Sequence, residues 1–373
     1  MIIFIYTSTV LLFVTMICLQ WYCGIREIPF ITRAPDPVST DEALVSVIIA
    51  AKDEETEIES TIRSLMAQSY TNLEVIAVND RSDDRTGAIL DRLGGEFPAL
   101  QVIHIHELPT GWLGKNHALY KGYEQSRGDW LLYADADILF SEKAVADSLY
   151  FARTKSLDHL ALLPENRGGT LPYRIFYTFW GIIGVWNFIA AGHAGVGAFN
   201  LMKRDVYKHA GTHKAIALRP DDDLKLGKTI VDAGYKQQLG FGNGIISIQW
   251  YETLKDMSLG LEKNLFAFMQ YRLSFVLLAT VGVLSFHVTP FILVFHSDVI
   301  VQRLSAAVVV LYVLMYVKNG RYFSHPWWYV CTVPFSALVF LYCLWRSMIK
   351  TYKNGGVEWR GTKYSLKELR QKK

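Results

Sequence analysis

The chain opens on an apolar run, "MIIFIYTSTVLLFVTMICLQWYC" (1–23), with no Lys, Arg, Asp or Glu in it. A helix of that composition can cross a bilayer, which takes about 20 residues. With no basic residue ahead of the run and no small-x-small site behind it, the pattern predicts a retained N-terminal anchor rather than a cleaved leader. Residues 24–42 include Pro29, Pro35 and Pro37 and read as a linker. From 43 to 255 the pattern changes to short β-rich runs, "LVSVIIAA", "LEVIAVND", "QVIHIH" and "DWLLYADADILF", alternating with helix-like stretches such as residues 54–68. That alternation predicts an α/β domain with a mostly parallel sheet. In 256–345 apolar content rises again, through "LSFVLLATVGVLSFHVTPFILVF", "LSAAVVVLYVLMYV" and "WWYVCTVPFSALVFLYCLW", which predicts two or three further membrane segments.

Composition agrees with a domain plus membrane segments: 51% hydrophobic residues over 373 positions is more than one soluble core needs. A net charge of +3 gives no footing for a nucleic-acid partner. Its distribution matters more, because the tail 346–373 holds nine Lys or Arg against Glu358 and Glu368. Such a tail after an apolar segment faces anionic lipid on the cytoplasmic side, so the expected place is the cell membrane, multi-pass, with a cytoplasmic domain. Cys18, Cys23, Cys331 and Cys343 all lie in apolar runs and indicate neither a disulfide framework nor a zinc site.

Candidate chemistry gathers at the strand ends. The first strand runs into "IIAAKDEE" without a glycine, so the phosphate-cradling turn of a dinucleotide-binding unit is missing. Asp80 closes the second strand in "VNDRSDDRT", where a carboxylate outside the sheet's carboxyl edge can accept hydrogen bonds from a ribose or a base. Ser82, Asp83 and Asp84 there can equally cap the following helix. Asp135 and Asp137, at i and i+2 after a buried strand, can hold one hard divalent cation, Mg2+ or Mn2+, that also bridges diphosphate oxygens. Lys115 in "GWLGKNHAL" is the best placed cation for the same diphosphate. His117, His193 and His213 lie near turns, where a single histidine is more often structural.

Together these stretches resemble the inverting glycosyltransferases of GT-A fold, family 2 type, with membrane-bound members. "VSVIIAAKDEE" is similar to that family's opening strand, although Ala50 and Asp53 stand where proline and asparagine are usual; "VNDRSDDRT" is similar to its nucleotide-binding motif, "GWLGK" to its Gly-Trp-x-Gly-Lys segment and "DAD" to its metal motif. The fold so implied is α/β, a GT-A Rossmann-like domain with one N-terminal and two or three C-terminal transmembrane helices. The resemblance assigns Ala51, Asp53, Glu55, Asp80, Lys115, Asp135 and Ala136 to the nucleotide sugar, and Asp137 with Asp135 to the metal. It assigns Asp222 and Asp223 in "RPDDDLKLGK" to the catalytic acidic pair, with aspartate where the first position is usually glutamate, so either can be the base. It puts Gly195 and Gly197 of "AGHAGVGAF" beneath the sugar, and Arg204 at acceptor or diphosphate. The tail "VEWRGTKYS", with Trp359 and Arg360, is similar to tails of lipid glucosyltransferases. The implied partners are a UDP-sugar donor, a lipid acceptor and the membrane. The nearest likeness is to carotenoid glycosyltransferases, which implies glucose transfer from UDP-glucose to a carboxylate such as 4,4'-diaponeurosporenoate; hopanoid, ceramide or diacylglycerol acceptors remain open.

A phosphohydrolase of the haloacid dehalogenase type also carries a hydrophobic-Asp-x-Asp segment. It places that segment on its opening strand, with Thr or Val where Leu139 stands here, whereas a complete acidic βαβ unit comes first in this chain. Residues 173–192 are apolar enough to suggest a span, but a single crossing there would separate Asp137 from Asp222, so an interfacial helix is expected. Parity raises a second question, since three later apolar runs would put the basic tail outside.

Overall fold

The computed structural model describes residues 1–34, 43–262, 265–359 and 362–366, with the backbone alone for 357–359 and 362–364. The chain divides into two units: Ile28–Arg167 with Ala191–Gln249, and Met1–Glu27 with Gly168–Ala190 and Trp250–Lys373.

In the first of these, the strands are β1 (Val45–Ala51), β2 (Leu73–Asp80), β3 (Leu100–Ile105), β4 (Trp130–Ala134), β5 (Leu139–Phe140), β6 (His159–Leu163), β7 (Glu165–Asn166), β8 (Asn200–Lys203), β9 (Gln237–Phe241) and β10 (Ile246–Ile248). Seven of them form one sheet in the order β3-β2-β1-β4-β8-β6-β9. β1 to β4 run parallel, β8 runs antiparallel between β4 and β6, and β9 is parallel to β6. β1 is apolar almost throughout because both of its faces are covered. The period of two divides its side chains: Val47, Ile49 and Ala51 enter one core with Ile58, Ile62 and Leu65 of the helix Ile58–Met66, while Ile48 enters the other with Ala118, Leu119, Leu226 and Ile230. β4 alternates likewise, Leu132 and Ala134 to the first core and Leu131 and Tyr133 to the second. The helices Gly114–Gln125 and Asp222–Asp232 therefore cover the face that Asp135 continues beyond the strand.

The other unit is helical, with an antiparallel β11 (Gly356–Trp359) and β12 (Thr362–Ser365) hairpin near its end. Among the described residues five helices are long and apolar enough to cross a membrane: Ile2–Glu27, Leu171–Ala191, Leu273–Leu293, Val299–Phe323 and Trp327–Lys353. The third contains a π-helical turn, Leu284–Val288, just before Pro290, which has no N–H to continue the α-helical ladder. Asp298 caps the fourth, accepting from the N–H groups of Ile300 at 2.8 Å and Val301 at 3.2 Å.

Candidate active site

Asp135 lies just beyond β4, in the middle of the sheet, in a cleft whose lining includes Lys115, Gly197, His213, Asp222 and Asp223. Lys115, in the first turn of the helix Gly114–Gln125, donates to Asp135 Oδ1 at 2.7 Å. Burial works against its charge, yet the carboxylates of Asp135, Asp222 and Asp223 outweigh it and hold the ammonium firmly protonated. The acidic pair opens the helix Asp222–Asp232, where the helix dipole favours negative charge. Burial pushes the Asp222 carboxyl up to about 7 against the pull of Lys115. Asp223 is raised too, chiefly by burial, and both its oxygens are engaged: Oδ2 accepts from Gly197 N–H and Oδ1 from Leu224 N–H, each at 2.8 Å. Asp137 is pushed up to about 7 by burial, with the charges of Asp135 and Glu54 adding. Its Oδ1 is buried without a hydrogen-bond partner.

Of the other residues expected at the donor, Asp80 is buried at the end of β2, held by Arg81 through Nε at 2.8 Å and NH2 at 3.1 Å. Asp53, at φ 55°, accepts from Asp83 N–H at 2.8 Å, and Glu55 Oε2 takes the Arg85 N–H at 3.1 Å and Nε at 3.0 Å. These two carboxylates tie the loop after β1 to the loop after β2. Asp84 has the capping role, accepting from Thr86 N–H at 2.9 Å and Glu55 N–H at 3.0 Å. Ala51 and Ala136 are buried, and the Ala136 carbonyl accepts from Thr61 Oγ1 at 2.8 Å.

Gly195 and Gly197 seat their loop against the acidic residues. A side chain at Gly195 would strike the Asp223 backbone, and a Cβ at Gly197 would lie 2.7 Å from Asp135 Oδ2. Arg204 departs from expectation: its Nε donates to Gly128 O at 2.5 Å and its NH2 to Ser126 Oγ at 2.8 Å, so the guanidinium fastens the turn before β4 and does not serve a ligand. Trp359 ends β11 in the helical unit, and Arg360 lies outside the described residues. Asn116 is a contributor that the sequence did not single out. Its Nδ2 reaches the carbonyls of Ile216 and Arg219, both at 2.9 Å, and so fixes the segment leading to Asp222 beside Lys115. Half-buried Gln237 ties the loop before Gly195 to the helix Asp222–Asp232: its Oε1 accepts from Ala194 N–H at 2.5 Å, and its Nε2 donates to Gly227 O at 2.9 Å.

Residues 46–174 match the profile of Glycosyl transferase family 2. The chain carries a family 2 glycosyltransferase domain. Over 95 residues it is 37% identical to the Probable glycosyltransferase YdaM of Bacillus subtilis (strain 168), covering 25% of this chain and 22% of that protein. Over 232 residues it is 25% identical to the 4,4'-diaponeurosporenoate glycosyltransferase of Staphylococcus haemolyticus (strain JCSC1435), covering 59% of this chain and 60% of that one. The chain thus spans between about a fifth and three fifths of the length of these relatives. The fold is similar to that of the mannosyltransferase PcManGT from Pyrobaculum calidifontis, solved in complex with GDP-Man and Mn2+, with TM-score 0.56, 17% identity, and coverage of 94% of this chain and 99% of that one.

In this glycosyltransferase domain the acidic residues fit a divalent cation of modest protein coordination. Among the described residues no three His, Cys, Asp or Glu side chains converge to hold a metal ion. Two carboxylates are enough for a hard cation that takes its other oxygens from a diphosphate and water. The buried, unpartnered Oδ1 of Asp137 and the carboxylates of Asp135, Asp222 and Asp223 around the Lys115 ammonium are what such a cation would relieve.

Proposed function

We propose that the protein transfers a hexose, glucose from UDP-glucose, with inversion to a membrane lipid, a carotenoid carboxylate such as 4,4'-diaponeurosporenoate. The observation that carries this reading is one cleft holding Lys115 and Asp135 for the donor side and Asp222 and Asp223 for the acceptor side. Asp80 holds the nucleoside, and Lys115 binds the diphosphate as a point charge. Asp135 and Asp137 would hold Mg2+ or Mn2+, which when bound offsets the charge developing on the departing diphosphate. An acceptor hydroxyl gives its proton to the pair Asp222 and Asp223, whose raised carboxyls suit a base working near neutral pH. A carboxylate acceptor arrives already ionised and asks less of the pair. The relative from Staphylococcus haemolyticus supports the carotenoid acceptor, and the apolar helices support a lipid one. The protein works at the cell membrane with its domain in the cytoplasm.

The test is to incubate membranes bearing the protein with UDP-glucose, Mg2+ or Mn2+, and a panel of carotenoid, hopanoid, ceramide and diacylglycerol acceptors. A glucosylated carotenoid acid is the expected product; another glucolipid would change the acceptor and keep the chemistry, and no glucolipid at all would defeat the reading. Asp137→Ala should lose most activity, because several kcal/mol of charge stabilisation on the leaving group go with it. Turnover indifferent to chelator would remove the metal from the scheme.

A further inference from the structure

His213 lines the cleft beside Asp222 and Asp223 and has no task in donor binding or proton transfer as set out so far. Its side chain is almost wholly buried, packed by the rings of Tyr133 and Tyr207 at centroid distances of 5.1 and 5.6 Å. Burial, with the charge of Lys115 adding, pushes its pKa down to about 3, so the ring is neutral. Tyr207 holds both the backbone and the ring of His213. Its Oη accepts the His213 backbone N–H at 3.0 Å and lies 2.7 Å from Nδ1. With the Tyr207 hydroxyl donating to Nδ1, the ring hydrogen sits on Nε2. Nε2 faces Asp222, 3.9 Å from Oδ2.

We propose that His213 is a positioning residue for the acidic pair, its Nε2–H orienting the Asp222 carboxylate and Tyr207 setting the tautomer that makes this possible. The proposal rests on the transferase reading of the cleft for its effect on turnover, but not for its geometry. A shift of about 1 Å brings the 3.9 Å contact into hydrogen-bond range. Asp223 needs no such partner, since two backbone N–H groups already hold it. A neutral donor suits the place better than a cation, because the Lys115 ammonium already supplies the positive charge there.

Two measurements test it. In the glucosyl transfer assay with the full chain, His213→Leu should lower kcat roughly tenfold or more while leaving the donor KM unchanged. His213→Gln, which keeps a side-chain N–H at similar reach, should recover a large part of that loss. Equal losses in both variants that track a fall in thermal unfolding temperature would make the residue structural, and wild-type kcat in His213→Leu would end the proposal. The second measurement needs no reaction. Solid-state nitrogen NMR of histidine-labelled protein, with His213 assigned by its disappearance in His213→Gln, should show a protonated Nε2 and a bare Nδ1, and the Nε2 signal should move in Asp222→Asn. A bare Nε2, or one indifferent to Asp222→Asn, would overturn the proposal whatever the protein transfers.

Discussion

The acidic residues of the cleft differ in what holds them, and two substitutions separate the consequences. Gly197→Ala adds a Cβ that would sit 2.7 Å from Asp135 Oδ2 and 3.2 Å from Lys115 Nζ. Gly197 is not among the glycines of positive φ, so the backbone tolerates alanine. The fold should survive while the Lys115–Asp135 pair is displaced, and donor affinity should fall with little change in melting temperature; unaltered donor KM would mean the pair does not touch the donor. Asp222→Asn tests burial. The folded-state pKa of Asp222 is raised from 3.8 to about 7, so the folded protein holds the proton in that window and stability is lost as pH rises through it. Asparagine carries no charge at any pH, so the variant should melt several degrees above wild type near pH 8, with the gap closing toward pH 4, while transfer to an alcohol acceptor falls. A gap that widened toward acid would contradict the assignment. The place of Asp135 was legible in the sequence, because the alternation of β4 carries it past Leu131 and Tyr133 on the same face; Asp137 lies in the turn that follows, where the alternation stops. The partners of Asp53 and Glu55 were not legible, since they depend on two loops some 30 residues apart meeting beyond the sheet. Asn116 and His213 sit in a helix start and a turn, where no periodicity marks a polar residue as functional.

At the scale of elements, the strand order decides a question that hydropathy leaves open. Leu171–Ala191 has the length and composition of a span. Yet β6, which precedes it, and β8, which follows it, are hydrogen-bonded neighbours, with His159 opposite Met202 and Ala161 opposite Asn200. A single crossing would put two adjacent strands of one sheet on opposite sides of a bilayer. The helix is therefore expected to return to the side it leaves. Its tryptophans are engaged inside the helical unit: Trp186 Nε1 donates to Gln20 Oε1 at 3.1 Å, and the Trp180 ring lies 6.1 Å from that of Phe340. Cysteines introduced at the exposed positions Arg167 and Ala191, in a background without the native cysteines, should react with an impermeant thiol reagent from the same face of sealed vesicles. Labelling from opposite faces would contradict the strand pairing itself. The α/β alternation was readable because it rests on local period. The antiparallel insertion of β8 between β4 and β6 was not, since pairing across some forty residues leaves no trace in local pattern.

At the scale of the whole molecule, the same kind of argument predicts the parity of the C-terminal helices. Between Glu262 and Lys350 lie three candidate spans, Leu273–Leu293, Val299–Phe323 and most of Trp327–Lys353. Glu262 nonetheless accepts from Arg346 and, at 2.9 Å, from Lys350, and its carbonyl accepts from Ser347 Oγ at 2.5 Å. Residues bonded to one another lie at one depth in the bilayer, so an even number of crossings separates them. The first two helices form a connected pair, with Tyr312 Oη 2.7 Å from His287 Nδ1, and account for two crossings. Trp327–Lys353 is then expected to lie in the interface. Its exposed Phe335, Leu338, Tyr342, Ile349 and Tyr352 fall on one helical stripe, and Arg346, Lys350 and Lys353 supply the basic charge that anionic headgroups attract. Two crossings would bring Asn354 to the side of Glu262, the arrangement that the excess of Lys and Arg in the sequence after Arg346 favours on a cytoplasmic face. Cysteines at the exposed positions Lys255 and Asn354 should be labelled from one face of sealed vesicles, and a cysteine at Ser297, between the two crossing helices, from the other. Lys255 and Asn354 labelled from opposite faces would restore the third crossing and break the Glu262 cluster as a feature of the membrane-bound protein.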